Sequence, residues 1–244
     1  QFKRISSTED SFKKEINIKN NYIFNLPISS ENDKWNDIFF NKSNNTKNFK
    51  YDFLNQKLFK SKKLTKYKIN DYILYENGNV ITSDQQGNIN IFSLNNNKIK
   101  SRFNFYKKRF KKSAKRLNLI TDNNIIYVSD NLGYLYSFDY TNNKILWAKN
   151  FKIPFRSNLK IFKNKLILSN QNNDLYYINK NNGNILKLIP TEETIIKNKF
   201  INNISLDKNN TFYLNTFGSL YSIDNKKMRI NWFINLNETA NDDP

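Results

Sequence analysis

A phrase of seven residues returns four times in this chain, at spacings that leave few folds open to it. It reads Gly87-Asn88-Ile89-Asn90-Ile91-Phe92-Ser93, then Gly133-Tyr134-Leu135-Tyr136-Ser137-Phe138-Asp139, then Asn173-Asp174-Leu175-Tyr176-Tyr177-Ile178-Asn179, then Gly218-Ser219-Leu220-Tyr221-Ser222-Ile223-Asp224. The anchors lie 46, 40 and 45 residues apart, and a period of that size marks a propeller or a similar array of stacked units. Each anchor follows a strand-like run, "NVITSD", "IIYVSD", "LILSN" or "FYLNT", across a polar couple such as "QQ" or "DN" that suits a hairpin. Position 173 takes Asn where the other copies take Gly, and Asn is the next best residue at positive φ. Beyond the anchor strand comes a second turn and another strand. Trp147 and Trp232 each fall fourteen residues after their Gly, while Ser101 and Lys187 hold that place in the other copies. The Trp is therefore an optional part of the unit.

Each copy reads as an antiparallel meander that is apolar on both sides. A lone meander cannot bury two faces, whereas copies stacked radially shield one another. The pattern predicts an all-β propeller of four-stranded blades, with four to five blades in residues 28–244 and clear units at about 68–105, 117–150, 158–189 and 200–236. Residues 1–27 are charged and weakly periodic, and read as a tether. The aromatic-rich pieces "WNDIFF" and "FKYDFLNQKLF", between Trp35 and Leu64, read as part of another blade.

Composition removes several chemistries. The chain has no Cys and no His, which excludes disulfides, thiolate and imidazole metal sites and His-assisted nucleophiles. No apolar run approaches the ~18 residues that span a bilayer. The chain begins at Gln1 without Met or a signal peptide, as expected of a processed form or a fragment. Its formal charge of +19 invites a phosphate or anionic-membrane partner. A duller cause competes: 47 residues are Asn and three are Ala, the drift expected of AT-rich coding DNA.

The unit from Gly133 through Trp147, with its weaker copies over residues 68 to 236, resembles the PQQ-type propeller repeat, G-x-L-Y-A-L-D, a turn, then G-K-x-x-W. That repeat specifies a fold and is nearly silent about function. A second stretch is similar to the alphaproteobacterial form of the BamB family, propeller lipoproteins of the outer-membrane β-barrel assembly machinery. It runs Ile153-Pro154-Phe155-Arg156-Ser157-Asn158, then "NQNNDLYYINKNNGNIL", then Pro190-Thr191-Glu192-Glu193-Thr194. The resemblance implies a non-enzymatic scaffold at the periplasmic face of the outer membrane, with no cofactor and no catalytic residue. Its partners would be the barrel-inserting subunit and unfolded outer-membrane protein clients, and a lipid anchor would lie upstream of this chain. It also implies that Ile153, Phe155 and Arg156 form the partner-binding loop. The family has eight blades, so the ring is either incomplete here or unusually small.

Plainer readings stand beside these. In the Ile153–Arg156 loop the apolar residues would fill a blade end and Arg156 would pair with a carboxylate. Lys107, Lys108, Arg109, Lys111, Lys112, Lys115 and Arg116 place seven cations in ten residues; they read as a solvated loop or as a contact for anionic lipid or phosphate. Asp139 and Asp224 read as turn residues rather than acids or Ca²⁺ ligands, because Asp at a turn accepts backbone N–H bonds. Two other functions remain open at this stage. One is a quinoprotein dehydrogenase, although the adjacent Cys pair of many such enzymes is absent; the other is an anionic-surface or nucleic-acid binder, although the preferred reading has no nucleic-acid partner.

Overall fold

Alternation along each strand decides which neighbour its side chains meet. The computed structural model describes residues 28–29, 34–46, 48–51, 57, 60–110, 112–193 and 200–236. Four antiparallel sheets follow one another in chain order, each a simple meander. Blade 1 holds β1 (Ile69–Glu76), β2 (Asn79–Asp84), β3 (Asn88–Ser93) and β4 (Lys98–Asn104). Blade 2 holds β5 (Leu117–Asp122), β6 (Ile125–Asp130), β7 (Tyr134–Asp139) and β8 (Lys144–Asn150). Blade 3 holds β9 (Lys160–Phe162), β10 (Lys165–Ser169), β11 (Leu175–Asn179) and β12 (Ile185–Ile189). Blade 4 holds β13 (Asn203–Leu206), β14 (Asn210–Leu214), β15 (Ser219–Asp224) and β16 (Ile230–Asn235).

Successive residues of the middle strands enter different cores, as a period of two requires. In blade 2, Ile126, Val128, Tyr136 and Phe138 pack against Leu74, Ile81, Ile89 and Ile91 of blade 1. Their neighbours Tyr127 and Leu135, with Ile120, pack on the other side against Leu166, Leu168, Tyr176 and Ile178 of blade 3. Blade 3 repeats the device, sending Ile167, Leu175 and Tyr177 against Ile204, Leu206, Tyr213 and Ile223 of blade 4. The cores therefore lie between sheets rather than within them. At about 25 cal/mol per Å² of apolar area, burial of both faces is what makes each narrow sheet stable.

The inner strands are β1, β5, β9 and β13, with β1 beside β5 and β9 beside β13. The sheets do not close into a ring. Each β2–β3-type hairpin is held by the residue that ends its first strand or directly follows it. Asp84, Asp130, Asn170 and Asn215 are all buried, and each side-chain oxygen accepts N–H bonds from the turn two to four residues on, at 2.8–3.1 Å. This is an Asx turn repeated once per blade. Asn173 has φ 67 at the anchor position where Gly133 has φ 85.

Much of the stretch between Trp35 and Leu64, read as part of another blade, lies outside the described residues. Among the described residues that stretch contributes no full strand; Trp35, Asp37 and Phe40 form isolated bridges only. The expected tether, residues 1–27, lies outside the described residues.

Candidate functional site

Two places gather chemistry: the rim where blades are joined, and the axis where inner strands converge. The connectors after β4, β8 and β12 start where the outer strand ends beside the β2–β3-type turn, for example at Asn104 opposite Asn88. All three connectors thus share one rim. The Ile153–Arg156 loop and the basic segment are both on it.

The Ile153–Arg156 loop is stitched to blades 2 and 3 and to the lead into blade 4. Phe155 N–H donates to Asp130 O at 3.0 Å, Arg156 N–H to Ser169 O at 3.0 Å, and Gln171 N–H to Pro154 O at 2.8 Å. Asn202 N–H donates to Arg156 O at 2.8 Å. A Cβ on Gly133 would lie 2.9 Å from Ile153 O, so only Gly admits the loop so closely. Phe155 is 2% exposed and packs against Phe151 and Tyr176 with ring centroids at 5.2 and 6.2 Å. The expectation of an exposed phenyl anchor is corrected: Phe155 fills the blade 2–blade 3 core because its neighbours offer an aromatic slot, and its part is to fix the loop. Ile153 and Arg156 are half-buried and reach the surface.

The basic segment is less uniform than its sequence. It contains a short 3₁₀ turn at Lys108–Phe110. Lys107, Lys108, Lys112 and Arg116 are exposed; Lys111 and the side chain of Arg109 lie outside the described residues. Lys115 is corrected as a surface contact, since it is 1% exposed, donates to Phe110 O and lies over the Tyr106 ring at 5.3 Å. Burial pushes its ammonium below the usual lysine range, with Asp84 pulling the other way. The segment is pinned to blade 2 by Tyr106 O–H on Asp130 and by Arg116 N–H on Asn131 Oδ1. Burial raises the Asp130 carboxyl, and the Tyr106 hydroxyl and the turn N–H groups act against that rise.

The axis carries residues that the repeat pattern concealed. Residues 35–44 cross it as a strap. Trp35 and Tyr75 of β1 exchange backbone bonds at 2.8 and 2.7 Å, and Thr121 N–H of β5 donates to Asn36 O at 2.9 Å. Lys160 of β9 donates through Nζ to Asp37 Oδ2 at 2.6 Å and to Asn41 O at 2.8 Å. Leu206 N–H of β13 donates to Lys42 O at 2.7 Å, and Asn44 Nδ2 to Ile204 O at 3.0 Å. All four blades hold the strap. Lys160 is fully buried and Asp37 3% exposed; burial raises the carboxyl against the pull of Lys160, and burial lowers the ammonium against the pull of Asp37. One signal for this pair was present in the sequence. Lys160 stands at the register of Leu74 in blade 1 and Ile120 in blade 2, a cation where those two copies carry an apolar residue.

Asp139 accepts from Thr141 and Asn142 N–H, and Asp224 from Lys226 and Lys227 N–H, as turn residues do. Among the described residues no group of three or more His, Cys, Asp or Glu is placed to hold a metal ion. No helix among them is long and apolar enough to cross a membrane.

Solved structures share this arrangement. BamB from Moraxella catarrhalis superposes with a TM-score of 0.54 at 13% identity, over 66% of this chain and 47% of that one. The architecture is a PQQ-like β-propeller. The quinohemoprotein alcohol dehydrogenase from Comamonas testosteroni gives 0.65 at 11% identity, over 84% of this chain and 41% of that one. The computationally designed Ika4 protein gives 0.56 at 11% identity, over 70% of this chain and 99% of that one. This chain thus spans less than half the length of the two natural relatives. No protein-family model matches the sequence, and no curated protein matches it. Likeness at this identity establishes the propeller alone, and its hosts include both an enzyme and BamB.

Proposed function

We propose that this chain is a non-enzymatic scaffold of the outer-membrane β-barrel assembly machinery, displaying one connector rim to the barrel-inserting subunit at the periplasmic face. The observation that carries the reading is the Ile153–Arg156 loop. It is fixed by backbone bonds to blades 2 and 3 and to the lead into blade 4, yet leaves Ile153 and Arg156 partly at the surface. A pre-ordered loop loses little entropy on docking, and Arg brings a planar set of donors to a carboxylate or carbonyl partner. The likeness to BamB supports the choice of partner. Unfolded barrel clients would meet the same rigid body.

The test is a calorimetric titration of the chain with the purified periplasmic domains of a barrel-inserting subunit, at about 0.15 M salt so that general attraction to a +19 chain is screened. Arg156→Glu should weaken binding at least tenfold. Unchanged affinity in that variant would remove the assignment.

Four exposed cations on the same rim, Lys107, Lys108, Lys112 and Arg116, favour a second contact, with anionic headgroups. Their replacement by Gln together should abolish co-sedimentation with phosphatidylglycerol vesicles. The quinoprotein alternative makes its own demand, a spectral change when the quinone and Ca²⁺ are added.

A further inference from the structure

The strap is bound to the axis as a ligand would be. It never becomes a member of any sheet: one reciprocal pair joins it to Tyr75, and single backbone bonds join it to Thr121 and Leu206. β1, β5, β9 and β13 are all edge strands, and such edges pair readily with extended chain. Only Asp37 and Ile38 of the strap are buried, Ile38 in the core between blades 1 and 2 and Asp37 against Lys160. Trp35 packs at the margin of the same core. Phe39 packs against that core too, beside the Tyr72 ring and beneath the Lys160 ammonium. Recognition therefore rests on four side chains in the order aromatic, any residue, acidic, apolar, aromatic. A buried ammonium on β9 reads the acid.

We propose that this axial cleft is a binding site for an extended peptide of that pattern, which residues 35–44 occupy from within the same chain and which a partner's segment fills when the strap gives way. A segment that lies outside every sheet, with only Asp37 and Ile38 buried, opens before the sheets do. Its occupancy lowers the apparent affinity for an outside segment by the fraction of time the cleft is closed. The proposal stands on the axis and is independent of the rim assignment.

The experiment uses the full chain and a synthetic peptide of residues 34–46 carrying a neutral dye. The peptide has two Lys and one Asp, a net charge of +1, so the cationic chain does not attract it unspecifically. Fluorescence anisotropy should show the peptide binding at least tenfold more tightly to the Asp37→Asn chain than to the unaltered chain. An Asp37→Asn peptide should lose at least tenfold in affinity, and adding Lys160→Met to the Asp37→Asn chain should abolish the gain. In parallel, a protease site inserted between Tyr51 and Lys57 is cut after folding, and labelled peptide should then exchange into the nicked chain. This second arm decides the matter should the Asp37→Asn chain fail to fold. Binding to neither chain, or equal binding of a scrambled peptide, overturns the proposal. Arg156→Glu should leave peptide binding unchanged, which separates this result from that of the rim.

Discussion

Asp139, Asp207 and Asp224 show how much one side chain settles locally. Each carboxylate accepts N–H bonds from its own turn, and these bonds hold the carboxyl below the usual aspartate range; at Asp139 and Asp207 the bond from the residue three on dominates, and at Asp224 that from Lys227. With the folded value below the unfolded one, the stabilisation is complete above the ordinary aspartate pKa and is lost as pH falls through the folded value. The contribution of these turns to the urea midpoint should therefore be lost as pH falls below about 4, and Asp139→Asn should reduce that loss. An equal acid dependence in the parent and in Asp139→Asn would contradict the turn assignment. Phe155 teaches the opposite lesson. A ring expected at an interface lies in the core, and its truncation to Ala should cost about 3–5 kcal/mol of stability whatever partner is present.

At the scale of the blade, the optional Trp is the informative part. Trp147 on β8 donates through Nε1 to Lys180 O at 2.9 Å in the next blade, and its ring rests where a Cβ on Gly183 would lie 2.7 Å from Cε3. Trp232 occupies the same register on β16, opposite Ser222 as Trp147 is opposite Ser137, yet it is 37% exposed. One ring joins two sheets and the other packs on its own sheet beside Phe212. Trp147→Ala should cost about 2–4 kcal/mol in urea unfolding, and Trp232→Ala less than about 1. Gly183→Ala, at φ +73 and against the indole, should be destabilising in the parent and distinctly less so beside Trp147→Ala. A double-mutant cycle that shows no such coupling would mean that the contact carries no energy.

Across the whole molecule, one strap touches all four sheets, and an ion pair between positions 123 residues apart in sequence ties it to blade 3. Removing one member leaves the other charge buried and unpaired, so Lys160→Met should cost about 3–5 kcal/mol. Replacing both, Lys160→Met with Asp37→Leu, should restore most of that loss, since a buried pair and a well-packed apolar pair are often near equal. Urea unfolding of the two singles and the double measures this directly, and additive losses would show that the pair is not coupled.

The sequence by itself determined the blade. Period-two alternation, the Gly or Asn needed at positive φ, and the turn-capping Asp and Asn act over a few residues, so the repeat register from Gly87 to Trp232 was legible without coordinates. The rim was half legible: the loop at Ile153–Arg156 was located, but which of its side chains would face outward was not, because Phe155 is buried by the ring of Phe151 in its own connector and that of Tyr176 on β11. Tertiary structure alone decided the axis. No local pattern brings Asp37 to Lys160, and a strap held by one or two bonds to each of four sheets has no period of its own; its place is fixed only once the blades have assembled around it and a buried ammonium demands a carboxylate.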